Sequence, residues 1–157
     1  CSAKFGADAN ENVCPACAGM PGMLPVANKN AIELGIAASL VTNSRITPVI
    51  SFDKKNYFYP DLSCGYQITQ LFAPICRDGR VEIETSKGTK TITLKQIHIE
   101  EDAGKLVHSR GVSLVDYNRC SVPLVEIVSN PDFRSAEEVV AYLEKLRALL
   151  TFAGVSD

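Results

Sequence analysis

The sequence predicts an α+β fold, a mixed or antiparallel sheet with flanking helices. Three observations carry this. Short runs of alternating apolar and polar residues cluster in the middle of the chain, between 81 and 128. Two stretches with apolar residues at helical spacing lie nearer the ends, at 28–41 and after Ser135. Strand and helix patterns do not alternate along the chain, which argues against βαβ architectures. The 157 residues, 46% of them hydrophobic, can bury one sizeable core and do not demand a second, so one domain is expected.

Taken in order, residues 1–27 read as a loop segment punctuated by Gly19, Pro21 and Gly22. Cys14 and Cys17 form a C-x2-C pair, with Cys1 a short loop ahead of it. Tetrahedral thiolate zinc suits that spacing. A structural zinc takes four ligands, so the fourth is expected just before Cys1, while Cys64, Cys76 and Cys120 are too far off in sequence to assign. Two other states stay open: reduced, unliganded thiols, and a Cys-Pro-Ala-Cys redox pair without the preceding strand of a thioredoxin-like context. The chain opens without Met and is expected to be a fragment.

Asn28 is placed to cap a helix in which Ile32, Ile36 and Leu40 recur at i+4. Residues 45–52 read as extended and lead into Asp53-Lys54-Lys55-Asn56-Tyr57-Phe58-Tyr59-Pro60-Asp61. That stretch reads from its chemistry as an aromatic staple with solvated lysines, although lysines beside tyrosines also suit a polar substrate. Residues 81–84 and 90–94 flank Ser86-Lys87-Gly88-Thr89 as a hairpin, and 112–115 and 122–128 supply further strands. Ser135, with Glu138 three residues later, is a capping box for a last helix whose expected buried stripe is Val139, Leu143, Leu146 and Leu150, ended by Gly154.

The chemistry concentrates in two strand-like stretches. Alternation puts Glu101 on the face of Ile97 and Ile99, and Glu100 on the face of His98. Glu126 is the only ionisable residue in the run Pro123 to Val128, which predicts a strand buried on both sides. An unpaired carboxylate there costs several kcal/mol, so a cation, a proton or a basic partner is required. Paired inward glutamates suit an oxygen-ligated Mg2+, which keeps its other positions for water and phosphate. A buried ion pair with Lys105, Arg119 or another base is the structural alternative. His98 alone reads as a satisfied strand histidine, and Asp102-Ala103-Gly104-Lys105 either turns Lys105 back over the site or is only a polar turn.

Composition narrows the classes of function. Lys and Arg total 16 against 18 Asp and Glu, net −2, so the chain has no basic excess with which to grip a nucleic-acid backbone. Neither a P-loop nor a G-x-G-x-x-G fingerprint is present. No apolar run approaches the roughly 20 residues of a membrane span, and no signal-peptide pattern opens the chain; a soluble, intracellular protein is expected.

Several long motifs then converge. Phe5-Gly6-Ala7, Val13-Cys14-Pro15-Ala16-Cys17, Gly19-Met20-Pro21-Gly22, the 53–61 segment, Gly65-Tyr66-Gln67-Ile68, residues 98–105 and Pro123-Leu124-Val125-Glu126-Ile127-Val128 occur in an order that resembles the GatB family, the B subunits of aspartyl/glutamyl-tRNA(Asn/Gln) amidotransferases. The resemblance spans residues 1–157, as an incomplete catalytic cradle domain with 1–27 as its zinc loop, and implies a fold similar to that of glutamine synthetase. It implies a carbon–nitrogen ligase with glutamine as amide donor, which phosphorylates the side-chain carboxylate of Glu-tRNA(Gln), or Asp-tRNA(Asn), with ATP. Ammonia from the amidase-type A subunit, in a heterotrimer completed by the small C subunit, then displaces the phosphate. By motif position, Glu101 and Glu126 are implied to bind Mg2+ and take part in catalysis, Lys55 to stand at the ammonia channel, and Cys1, Cys14 and Cys17 to bind zinc. The family's opening Gly-Leu-Glu-Val-His motif and its helical and tail domains are absent from this sequence, so the chain alone is expected to be inactive. The implied location is the bacterial cytoplasm or a eukaryotic organelle. The other functional classes kept open are a non-catalytic, zinc-stabilised RNA-binding or assembly module, and an unrelated metal-dependent phosphotransferase; the archaeal paralogue acting only on Glu-tRNA(Gln) shares many of the motifs.

Overall fold

The computed structural model describes residues 4–156. Elements run in the order α1 (Lys29–Val41), β1 (Arg45–Ile46), β2 (Asp53–Asn56), β3 (Tyr66–Thr69), β4 (Cys76–Thr85), β5 (Gly88–Glu101), β6 (Lys105–Ser109), β7 (Val112–Asp116), β8 (Pro123–Ser129) and α2 (Ala136–Phe152). The α+β expectation holds: the registered strand pairs are antiparallel, and the two helices lie outside the run of strands. None of the described helices is long and apolar enough to cross a membrane. The chain divides into two compact units.

One unit holds Lys29–Ser51, Gln70–Ile99 and Val125–Asp157. Its sheet has the order β1-β4-β5-β8. The β4–β5 hairpin forms where alternation and turn chemistry agree, with Thr85 opposite Gly88 across the Ser86-Lys87 turn. Val81, Ile83, Ile92 and Leu94 point inward from the two arms and are nearly inaccessible, while Glu82, Glu84, Thr91 and Thr93 face out. Ile75, Ile97, Ile99 and Tyr142 complete the core, and Ile32 and Ile36 of α1 pack against it. Gly35 of α1 lies against this core: a Cβ there would meet Ile75 Cδ1 at 2.9 Å.

Each helix keeps part of the stripe its periodicity predicts, Ile32 and Ile36 in α1 and Leu146 in α2, and adds residues outside it. In α1, Gly35, Ala38 and Ser39 are buried and Leu40 is 62% exposed. In α2, Tyr142 is buried and Leu146 and Leu149 pack on the core, whereas Val139 and Leu143 are exposed. The Tyr142 ring meets Phe133 edge-on at 5.2 Å. The start of α2 is as expected: the Ser135 side chain accepts from Glu138 N–H. Glu138, instead of closing the capping box on Ser135, accepts from Arg134 N–H at 2.7 Å and pairs with Lys90 at 2.8 Å.

The other unit comprises the chain up to Asn28, Phe52–Thr69 and Glu100–Leu124. It contains two hairpins, β2–β3 and β6–β7, and neither β2 nor β6 has the alternation of a strand. Loop hydrogen bonds tie them together. Asn10 N–H donates to Asp116 Oδ1 at 3.1 Å and its side-chain amide to Val115 O at 3.0 Å, while Gly104 N–H donates to Asp61 O at 3.0 Å. Gly104 is close-packed: a Cβ there would stand 3.0 Å from Asp116 O.

Candidate functional site

The carboxylates lie at the end of β5 and on β8. β8 is one of the two edge strands of its sheet, and Glu126 is not buried on both sides: its side chain is 49% exposed, and its Oε2 lies 3.7 Å from His98 Nε2. The expected desolvation penalty therefore does not arise. Nor is the partner Lys105 or Arg119. Lys105 sits opposite Asp116 in the β6–β7 register, and Arg119 Nε pairs with Asp102 Oδ2 at 3.1 Å. His98, discounted as a lone strand histidine, is the residue that the tertiary structure brings to Glu126.

In the other unit Glu101 is held by β3. Its Oε2 accepts Ile68 N–H at 3.0 Å, and its carbonyl accepts Gln67 Nε2 at 2.6 Å. Gln67 in turn accepts Tyr57 O–H at 3.2 Å. The Glu101 carboxylate is thus oriented by a backbone donor rather than by a basic side chain. Thr69 Oγ donates to Glu100 Oε2 at 3.4 Å. Burial, together with the charges of Asp61 and Glu100, pushes the Tyr57 hydroxyl above its usual range.

Lys55 projects from β2, and its Nζ stands 5.3 Å from the ring centre of Tyr57; Lys54 Nζ is 4.5 Å from that of Tyr66. Both lysines are exposed, so the segment combines ring packing with charge open to solvent.

Cys14 and Cys17 meet as the C-x2-C spacing predicts, with sulfurs 3.4 Å apart and Cys17 N–H directed at Cys14 Sγ at 3.5 Å. Two zinc–thiolate bonds of about 2.3 Å at a tetrahedral angle separate their sulfurs by a little under 4 Å, so the pair fits such an ion. The N–H of Cys17 lowers the Cys14 thiol pKa, whereas burial raises that of Cys17. Cys1 lies outside the described residues. Cys64 and Cys120 belong to this unit, and Cys64 Sγ reaches Ala16 O at 3.7 Å. Cys76 lies in the core of the other unit. Cys14, Cys17, Cys64, Tyr66, Glu101 and Ser121 line a cavity of about 160 Å3.

Comparison with known proteins covers the whole chain. Residues 1–157 match the GatB/GatE catalytic domain. The chain is 58% identical to the aspartyl/glutamyl-tRNA(Asn/Gln) amidotransferase B subunit of Lachnoclostridium phytofermentans, over 100% of its own length and 33% of the relative's. It is 57% identical to the corresponding protein of Agathobacter rectalis and 56% identical to that of Geotalea uraniireducens, covering 34% of each. It thus spans about a third of the length of these curated relatives. With the family's match running through the C-x2-C segment, the β5 carboxylates and β8 alike, this chain belongs to the GatB/GatE catalytic-domain family.

Proposed function

We propose that this chain is the ATP-using portion of the B subunit in a tRNA-dependent amidotransferase. In this assignment a carboxylate oxygen of the glutamyl side chain on tRNA(Gln), or of the aspartyl side chain on tRNA(Asn), attacks the γ-phosphorus of ATP. The bond to the β–γ bridging oxygen breaks and ADP leaves. Ammonia freed from glutamine by the amidase-type A subunit then attacks the activated carbonyl carbon, and phosphate departs as the amide forms. The small C subunit completes the complex, and the setting is the bacterial cytoplasm.

The carrying observation is Glu126, a half-exposed carboxylate on an edge strand with an imidazole 3.7 Å away. Glu101 and Glu126 are the proposed Mg2+ ligands; their hard oxygen donors suit that ion. Bound Mg2+ supplies charge neutralisation on the phosphates. Glu101, oriented by Ile68 N–H, is held in place before any ion arrives. Lys55 is proposed to stand at the mouth of the ammonia channel, supported by its exposure beside Tyr57. Cys1, Cys14 and Cys17 are proposed zinc ligands, supported by the meeting of the latter two thiols. Zinc bound there is structural.

The test is ADP release by the full-length protein assembled with its amidase partner, with and without Glu-tRNA(Gln), comparing wild type with Glu126→Gln. Release that requires the charged tRNA and vanishes in the variant supports the assignment. Release that is absent in wild type, or indifferent to Glu126, favours a non-catalytic assembly module instead.

A further inference from the structure

Ser63 and Cys64 lie between β2 and β3, far in sequence from the C-x2-C pair, yet they are its closest support. Ser63 Oγ donates to Cys17 O at 2.5 Å. Cys64 Sγ donates to Ala16 O at 3.7 Å. The two residues therefore hold successive carbonyls of the turn that carries the thiols. The backbone closes in as well: a Cβ on Gly19 would stand 2.5 Å from Ser63 O, and Gly19 has φ +65°, so space and conformation both require glycine there.

Proton count limits these contacts, since a serine hydroxyl and a cysteine thiol each carry a single proton. That of Ser63 goes to Cys17 O. The sulfurs of Cys64 and Cys120 lie 3.8 Å and 3.7 Å from the Ser63 oxygen. Cys120 Sγ also reaches Asp61 O at 3.8 Å. Each of the two sulfurs thus has a backbone carbonyl within reach, Cys64 that of Ala16 and Cys120 that of Asp61. The turn's own bonds, Ala18 N–H to Cys14 O at 2.9 Å and Gly19 N–H to Ala16 O at 3.1 Å, leave the carbonyl of Cys17 to Ser63.

We infer that Ser63 and Cys64 are positioning residues for the zinc loop: they hold the Cys14–Cys17 turn ready for a thiophilic divalent cation and do not ligate it. The inference rests on the zinc assignment proposed above. Its physical basis is that a ligand pair fixed before binding loses less freedom when the ion arrives, and outer partners of metal ligands commonly set affinity by about 10- to 100-fold.

The experiment uses full-length protein stripped of metal. Zn2+ is titrated against a chromophoric chelator, and Co2+ is followed by its thiolate charge-transfer absorption. Ser63→Ala is expected to weaken zinc binding by about 10- to 100-fold, Ser63→Thr to restore it, and Cys64→Ser to keep the full cobalt–thiolate absorption. Wild-type affinity in Ser63→Ala overturns the role of Ser63. Loss of a thiolate's share of the absorption in Cys64→Ser makes Cys64 a ligand and overturns its positioning role. A wild-type protein that binds neither metal overturns the zinc assignment and this inference with it. Binding in wild type with no change in the variants overturns the inference alone. Rescue by Ser63→Thr separates loss of the hydroxyl contact from general misfolding.

Discussion

His98 Nε2 and Glu126 Oε2 are 3.7 Å apart across neighbouring strands β5 and β8, which couples the one ionisable residue of β8 to an imidazole and leaves half of its side chain open to solvent. Glu126→Gln preserves size and removes charge at a site that is not desolvated. Its melting temperature is therefore expected to match wild type, because surface exchanges usually stay within about 0.5 kcal/mol. Binding of Mn2+ as a stand-in for Mg2+, followed by electron paramagnetic resonance, should weaken at least tenfold. Unchanged Mn2+ affinity would remove Glu126 from the metal site.

Lys55 lies over Tyr57 on β2 and has no part in handling phosphate in the proposed chemistry. Lys55→Ala is expected to leave tRNA-dependent ADP release intact and to lower glutamine-dependent amidation, with free ammonium restoring part of the rate. Equal rates with glutamine for variant and wild type would count against a place at the ammonia channel.

Ile92 is fully buried between the arms of the β4–β5 hairpin and the helices packed on the sheet. Ile92→Ala should destabilise its unit by about 2–5 kcal/mol, the range for truncating a buried aliphatic side chain. Hydrogen exchange of the β4 and β5 amides is the appropriate measurement, and protection equal to wild type would refute the core assignment.

The N-terminus of α2 is held by side chains rather than by helix propensity alone. Ser135→Ala removes the acceptor of Glu138 N–H and is expected to cost about 1 kcal/mol, seen as roughly fivefold faster exchange in the first turn.

Acid should loosen the same region. Thr93 hydroxyl and N–H hold the Asp132 carboxyl below its ordinary 3.8, and Ser86 N–H and Lys90 hold Glu137 and Glu138 below 4.5. A carboxyl with a lowered folded pKa contributes stability that is complete above its ordinary value and is lost as pH falls through the folded one. Melting temperature is therefore expected to be flat from pH 7 to about 5 and to fall below about 4, with a shallower fall in Asp132→Asn. An identical acid profile in that variant would show that Asp132 carries none of the dependence.

Local pattern determined a substantial part of this protein. The β4–β5 hairpin was legible because alternation, β-branched residues and a polar turn all agree over 81–94, and the start of α2 because Ser135 and the helical spacing agree. The order of the motifs identified the family over the whole chain. Cys14 and Cys17 were legible as a pair because three residues of separation place two thiols on one turn.

What tertiary structure decided concerns partners distant along the chain. β2 is Asp-Lys-Lys-Asn, with no apolar alternation, and is a strand only because β3 pairs with it. Glu126 reads as buried from its neighbours, but exposure depends on what packs on each face of β8, and its side chain is 49% exposed. In α2, Tyr142 joins Leu146 at the core with its ring edge-on to Phe133, while Val139 and Leu143 of the aliphatic spacing are exposed. Ser63 and Cys64 show no motif of their own, and their hold on the C-x2-C turn exists only once the chain has brought the two segments together. Periodicity reports which face a residue occupies on its own element; what that face meets is set by long-range pairing, and there the physical environment of each site residue is decided.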